Sequence, residues 1–457
     1  MKRNPFTVAR VPGDLELLAL TDEGLGNTSW ALGLQGEIVV VDPERDPEPY
    51  LAVAEQLGGP IVLAADTHLH ADFVTGSPEL AARGADVVAA ADSDLRWSHR
   101  PVRPGDRVDF GGWRLRTLAT PGHTPEHVAY LLSDGDRPRA VFTGGSLLVG
   151  AVARTDLIDP ANTQALTRLL WRSINRELLS LPDDVAVLPT HGAGSFCSAT
   201  GGTWRWSTIG DERRTNPLLQ VEDEDQFVRA VLGGLGSYPP YFLRLRELNR
   251  LGPHVFGALP VLDRLDIDGV LRLREQGATV VDVRSVADYT AGHIPGSLAN
   301  TLRPQFASWL GWLVADPTKP LVFVTDDHTD RRELVRQCLN IGYEHLAGEI
   351  GLGAWRAAGG GVSTTALVGP DQLDGRVLDV RQAAEFGNGH VPGAAHVELG
   401  ALRELASGVE DGTVVMCGHG ERAATAASVL EAAGRHVAVL DGGPDSWSAT
   451  HGRALER

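Results

Sequence analysis

The sequence predicts an α/β protein of about three domains, and three observations carry that reading. Short apolar runs of strand length alternate with segments of helical periodicity along the chain, the pattern of α/β layering. The length is 457 residues, which at about 150 residues per domain corresponds to roughly three domains. The C-terminal part also repeats itself. Val281-Asp282-Val283-Arg284 returns as Leu378-Asp379-Val380-Arg381, and Gly292-His293-Ile294-Pro295-Gly296 returns as Gly389-His390-Val391-Pro392-Gly393. Both pairs share an offset of 97 residues, so two tandem copies of one domain are expected.

In chain order, Glu37–Val41, Ile61–Ala65, Ala140–Thr143 and Val185–Pro189 read as buried strands. Asp159–Pro160 marks a helix start, and Leu166, Leu169, Leu170, Ile174 and Leu178 follow at helical spacing. From Pro217 to about Leu259, helical segments broken by Gly-Gly and Pro-Pro read as a connecting arm. In the first repeat Leu321–Val324 is a strand. In the second, Thr413–Met416 is the matching strand and Ala423–Ala433 the helix after it, and Gly359–Gly361 marks the junction. The expected division is residues 1–215, a helical arm over 216–260, and repeats over 261–361 and 362–457.

Apolar residues make up 43% and charged residues 22%, the balance of a soluble globular protein. There are 41 basic and 59 acidic residues, a net charge of −18 that repels phosphate backbones and anionic lipid, so neither nucleic acid nor membrane is expected as a partner. Lys2 and Lys319 are the only lysines; every other basic residue is arginine. Cys197, Cys338 and Cys417 lie far apart and imply no disulfide framework, which suits a reducing cytoplasm. Lys2 and Arg3 precede no apolar core of a signal peptide, and no stretch approaches the ~20 apolar residues that span a bilayer. A cytoplasmic protein is expected.

The second repeat places Cys417-Gly418-His419-Gly420-Glu421-Arg422 between strand and helix. Loop amides at a helix N-terminus, with the positive end of its dipole, favour an anion and so a thiolate at Cys417. Gly418, Gly420 and Glu421 belong to the anion-binding loop, whose glycines let the backbone close around the sulfur, and His419 and Arg422 are placed to meet an incoming oxyanion. In the first repeat Thr325-Asp326-Asp327-His328-Thr329-Asp330 takes this place, with a weak nucleophile and three repelling carboxylates. Cys338 falls in the following helical segment and reads as core. The paired motifs resemble the rhodanese sulfurtransferases over about the last 195 residues. The resemblance implies that Cys417 carries a transient persulfide and that the first copy is a shell without chemistry.

The N-terminal part carries Asp66-Thr67-His68-Leu69-His70-Ala71-Asp72-Phe73, then Thr120-Pro121-Gly122-His123-Thr124, Phe142-Thr143-Gly144-Gly145-Ser146 and Pro189-Thr190-His191-Gly192-Ala193-Gly194. In order and spacing these resemble the metallo-β-lactamase fold over about residues 8–210, and in wording its persulfide dioxygenases. Pro239-Pro240-Tyr241-Phe242 and Asn249-Arg250-Leu251-Gly252-Pro253 resemble the arm of bacterial fusions of such a dioxygenase with rhodanese domains. The fold so implied is an αββα sandwich followed by two rhodanese-like α/β domains. The resemblance carries the two histidines of an iron site to His68 and His123. Its aspartate falls on Gly145, which has no ligand atom, and a histidine of the two-metal hydrolases falls on Phe73. His70, Asp72 and His191 remain as further candidate ligands, and three imidazoles alone can hold zinc. Gly145→Asp is expected to raise iron content provided that Phe73 does not crowd the site.

The reading is therefore sulfane-sulfur metabolism and hydrogen sulfide detoxification: a rhodanese-type sulfurtransferase joined to a persulfide dioxygenase-like domain with a degenerate iron site. The cofactor expected is one weakly bound Fe(II) or Zn(II), and a metal-free state is compatible with the sequence. The partners expected are a low-molecular-weight thiol persulfide, thiosulfate or sulfite, and a homodimer is compatible. The alternatives are a metal-dependent thioester hydrolase and a non-catalytic persulfide or oxyanion sensor. Metal content tests the first, and turnover of thiosulfate the second.

Overall fold

Strands whose two faces are both apolar need a cover on each side, and the N-terminal part supplies it in four layers. The computed structural model describes residues 6–11, 15–192, 194–197 and 204–457; Lys2 to Pro5, part of the stretch from Arg10 to Glu16, and Ala193 of the His191 motif lie outside them. Seven strands form one sheet in chain order, from Thr7–Arg10 to Arg100–Val102, antiparallel up to Glu37–Val41 and parallel after it. A second sheet of six strands runs Ser207–Thr208, Ala186–Pro189, Arg137–Gly144, Val128–Asp134, Trp113–Ala119, Arg107–Phe110.

Trp30, Val39, Val41 and Leu63 of the first sheet meet Leu115, Tyr130, Phe142 and Leu188 of the second in a shared inner core. On the outer side of the first sheet, Ile38, Val40 and Ala64 pack against Tyr50 and Val53 of helix Glu48–Leu57. On the outer side of the second, Leu131, Val141 and Val187 pack against Leu170, Ile174 and Leu178. Asp159 caps the turn that opens this helical run by accepting from the Ala161 amide at 2.9 Å. Phe227 and Val231, from helix Glu224–Gly233 within the expected arm, sit in the same outer core. The result is an αββα sandwich.

The expected strands are present with small shifts of their ends: Glu37–Val41, Ile61–Ala65, Arg137–Gly144 and Ala186–Pro189. Their carboxyl ends meet at one edge. Val128 N–H donates to Thr67 O, Thr190 N–H to Gly144 O and Thr28 N–H to Thr190 O, which ties the ends of three of these strands together across the two sheets.

The chain divides into two compact units, one taking in the chain to Leu259 with Leu339–Gly342, the other the rest from Pro260. The second unit holds two parallel sheets, one of four strands around Thr279–Asp282 and Leu321–Thr325, one of five around Val377–Asp379 and Val414–Met416. The repeated motifs repeat in space. Arg284 closes on Asp282 and on the Gly292 carbonyl, 2.8 Å away, and Arg381 closes on Asp379 and on the Gly389 carbonyl, also 2.8 Å away. His293 and His390 each bond the backbone carbonyl four residues back and stack on Tyr289 and Phe386. Both motifs are structural clasps. No helix among the described residues is long and apolar enough to cross a membrane.

Candidate active sites: a histidine chamber and a cysteine loop

His68 follows strand Ile61–Ala65, His123 follows Trp113–Ala119 and His191 follows Ala186–Pro189, so three strand ends deliver three imidazoles to one edge of the sandwich. All three are buried, and one ligating nitrogen of each lies within 4.8 Å of the other two. Each ring is held by its Nδ1. Thr67 Oγ1 donates to Asp42 Oδ2 at 2.8 Å and therefore accepts from His68 Nδ1–H, also at 2.8 Å. His123 Nδ1–H donates to the Arg154 carbonyl at 2.6 Å, and His191 Nδ1–H to Asn27 Oδ1 at 2.9 Å.

With every Nδ1 engaged as a donor, the Nε2 atoms carry the lone pairs, and those of His68 and His191 stand 3.3 Å apart. Two lone pairs at that distance repel unless a proton or a cation lies between them. Burial, then the His70 charge, pushes His68 far below the ordinary imidazole value. Burial, then His191, pushes His123 down to about 3, so both rings are neutral at pH 7. Neutral imidazoles with their outer nitrogens fixed are what a metal centre requires.

His70 turns its Nε2 to Asp42, at 3.2 Å, and leaves Nδ1 buried and, among the described residues, without a hydrogen-bond partner. Asp72 lies beside it, and His191 Nδ1 stands 3.3 Å from its Oδ2. Burial alone would raise the Asp72 carboxyl, but its neighbours, His191 first and then His70 and Asn27, together outweigh it and hold the group far below the carboxylate range. His70, Asp72 and His191 form a second group of converging ligand atoms. Phe73 stacks on the His70 ring at 4.1 Å and presents carbon there.

At Gly145 the structure corrects one expectation. A Cβ there would overlap the His123 imidazole, which the Arg154 carbonyl holds in place, so a restored aspartate must displace a ligand. The donors fit a divalent cation held by three imidazoles with a position left open, as zinc accepts. They lack, at position 145, the carboxylate of a two-histidine, one-carboxylate ferrous set.

Four supporting residues were not foreseen. Asp42, just after Glu37–Val41, accepts from Thr67 N–H and Oγ1, His70 and Thr190, and ties two motifs together. Burial opposes its charge and His70 outweighs the burial, keeping its carboxyl below the usual range. His127 accepts the Gly145 amide at 2.9 Å and stacks on His68 at 4.9 Å; its spacing of four residues from His123 was the one available signal. Asn249 Nδ2 donates to the carbonyls of His70 and Phe73, at 2.8 and 2.9 Å, and Tyr241 OH donates to that of Asp72. The helix Phe242–Leu251 thus braces the ligand loop. Cys197 is buried, and burial followed by the neighbouring Asp72 charge pushes its thiol far up.

In the second unit, Cys417 follows strand Val414–Met416 and faces the start of helix Glu421–Ala432. Its Sγ accepts the Gly420 amide at 3.1 Å, and the residue is buried. Gly418 and Glu421 are part-buried beside it, whereas His419 is exposed. Arg422 is committed elsewhere: its two terminal nitrogens donate to the two oxygens of Glu385, both at 2.7 Å. Burial works against that guanidinium's charge, and Glu385 outweighs it.

At the equivalent place in the first copy Thr325 Oγ1 donates to Glu349 at 2.9 Å, and Arg331 Nε donates to the same carboxylate at 2.8 Å. That loop satisfies itself. Cys338 is buried in helix Arg331–Asn340, and burial raises its thiol well above the ordinary value.

The rhodanese-like domain family model matches residues 267–358 and 366–450. Over 211 residues, 45% of this chain and 74% of the relative, the sequence is 32% identical to the human protein named persulfide dioxygenase ETHE1, mitochondrial. A hydroxyacylglutathione hydrolase of Methylobacterium sp. (strain 4-46) is 32% identical over 209 residues, 40% of this chain and 77% of that protein. A crystal structure of a metallo-β-lactamase from Staphylococcus aureus subsp. aureus COL aligns with a TM-score of 0.65 at 27% identity, covering 74% of this chain and 99% of the other. With the αββα sandwich, the strand-end histidines and the doubled Asp-Val-Arg clasp already in place, these likenesses agree on one assignment. In its N-terminal part the chain belongs to the ETHE1-like persulfide dioxygenase family of the metallo-β-lactamase fold, and in its C-terminal part it carries two rhodanese-like domains.

Proposed function

We propose that this protein is a sulfurtransferase of sulfane-sulfur metabolism in which Cys417 carries the sulfur. The observation that supports it most is the Gly420 amide on the Cys417 sulfur at the mouth of a helix, against a self-satisfied Thr325–Glu349 pair in the other copy. The Cys417 thiolate attacks the outer sulfur of thiosulfate; the S–S bond breaks and sulfite leaves with its electron pair. A nucleophile such as cyanide then takes the outer sulfur from the cysteine persulfide, which releases thiocyanate and returns the thiolate.

The N-terminal domain is read as a persulfide dioxygenase relative with an altered metal site. His68, His123 and His191 would hold the cation, with His70 and Asp72 beside them. A bound cation there would act as a Lewis acid toward a coordinated thiol sulfur or water. The chain's own part is to hold the imidazoles oriented through Thr67, Arg154 and Asn27.

A second reading, a metal-dependent thioester hydrolase, draws on the three-imidazole set and on the hydroxyacylglutathione hydrolases among the relatives. Hydrolysis of an acylglutathione that stops on chelation supports that reading.

The test of the main reading is thiocyanate formation from thiosulfate and cyanide. The full chain is expected to turn over and Cys417→Ser to fall to background. Equal rates in both overturn the proposal.

A further inference from the structure

We propose that Arg303, which belongs to the copy without a nucleophile, is the residue that binds the oxyanion end of an anionic sulfur donor at Cys417. The inference rests on Cys417 being the sulfur carrier and names the donor class, a sulfane sulfur bonded to a sulfonate-like oxyanion.

The pocket's expected cation, Arg422, is bound in two-pronged fashion by Glu385 and has little left to offer a second anion. Arg303 is in the opposite condition. It is half-buried, its Nη1 donates to the neutral Gln305 Oε1 at 2.8 Å, and it forms no ion pair among the described residues. Its guanidinium feels the charges of Glu421, Cys417 and Arg422, all three in the Cys417 loop of the other copy. A part-buried guanidinium that no carboxylate ion-pairs among the described residues, Glu421 acting on it only at longer range, is a ready partner for an oxyanion, whose geometry its fork matches. Burial also lowers its proton affinity, which an arriving anion would reverse.

The first copy is built into this pocket in a second way. Every residue of helix Phe306–Leu313 is buried, and its Trp309 lies 5.7 Å from the Arg422 guanidinium. Trp312 stacks on Trp309 and presses so closely on Gly400 that any Cβ there would overlap the indole. The helix that begins at the catalytic loop is held from the same side. Ser428 Oγ accepts the Ala299 amide at 3.1 Å, and Glu431 meets His293 at 3.3 Å. Arg303 is therefore carried by a surface fixed against the loop. Its own carbonyl is anchored by Gln337 Nε2 at 3.0 Å.

The test uses the full chain with Arg303→Ala and Arg303→Lys. Two probes of nearly equal size, iodoacetate and iodoacetamide, alkylate Cys417, with the modified residue identified by peptide mapping. Only the first carries a charge. Arg303→Ala is expected to lower the iodoacetate-to-iodoacetamide rate ratio, and to raise KM for thiosulfate, by about tenfold or more, the loss of one charged hydrogen-bonding partner. KM for cyanide stays within about twofold, and Arg303→Lys recovers part of both effects. An unchanged ratio and KM in a folded Arg303→Ala protein overturn the role of Arg303 while leaving Cys417 chemistry intact. Absence of thiocyanate formation in the unmodified protein instead removes the reading on which the inference stands. A loss of both alkylation rates in equal proportion counts against charge recognition and assigns Arg303 to loop structure.

Discussion

The Gly420 amide reaches the Cys417 sulfur because its backbone turns through φ 103°, in the left-handed region, as the helix begins. A side chain there costs about 1–2 kcal/mol. Gly420→Ala is therefore expected to lower the melting temperature modestly and to slow thiocyanate formation about tenfold, because the strain acts on the donor of the thiolate. Thermal denaturation and the turnover assay check the two halves separately. At Gly145 the constraint is space: an added side chain meets the His123 ring, so Gly145→Asp is expected to lower metal content, as elemental analysis would show. The role of Gly420 was readable from a glycine placed between cysteine and helix. The crowding at Gly145 was not, because the atom that fills it comes from a residue 22 positions earlier in the chain.

At the scale of elements, strand ends were readable wherever an apolar run stops at a polar motif, as at Ala65 before Asp66 and at Pro189 before Thr190. The repeat was readable because the clasp of Arg284 on Asp282 uses residues two apart, which any second copy must keep together. Asp42, Asn249 and Arg303 were hidden for one physical reason. Each acts on loops 25 to 179 positions away, and such contacts leave no periodicity in the chain. The two equivalent loops also diverge here. The Thr325 hydroxyl serves Glu349 and meets no substrate, so Thr325→Ala is expected to keep sulfur transfer within about twofold of the unmodified protein. A tenfold loss in a folded variant would give that loop a chemical role.

Across the whole molecule, the two chemistries draw on separate residues. The histidine chamber is built from the first compact unit, and Cys417, Arg422, Glu385 and Arg303 all belong to the second. Removal of metal with a chelator is therefore expected to leave thiocyanate formation unchanged within error. In metal analysis of the purified chain, zinc is expected to exceed iron, since three imidazoles suit zinc and the carboxylate of the ferrous set is missing. Stoichiometric iron would contradict this. The central claim, that sulfur passes through Cys417, is tested most directly by mass spectrometry of the full chain after exposure to thiosulfate. The account predicts an added mass of about 32 Da, one sulfur atom, on the peptide holding Cys417, removed by cyanide. The same mass on the peptides of Cys197 or Cys338, or on none, would contradict it.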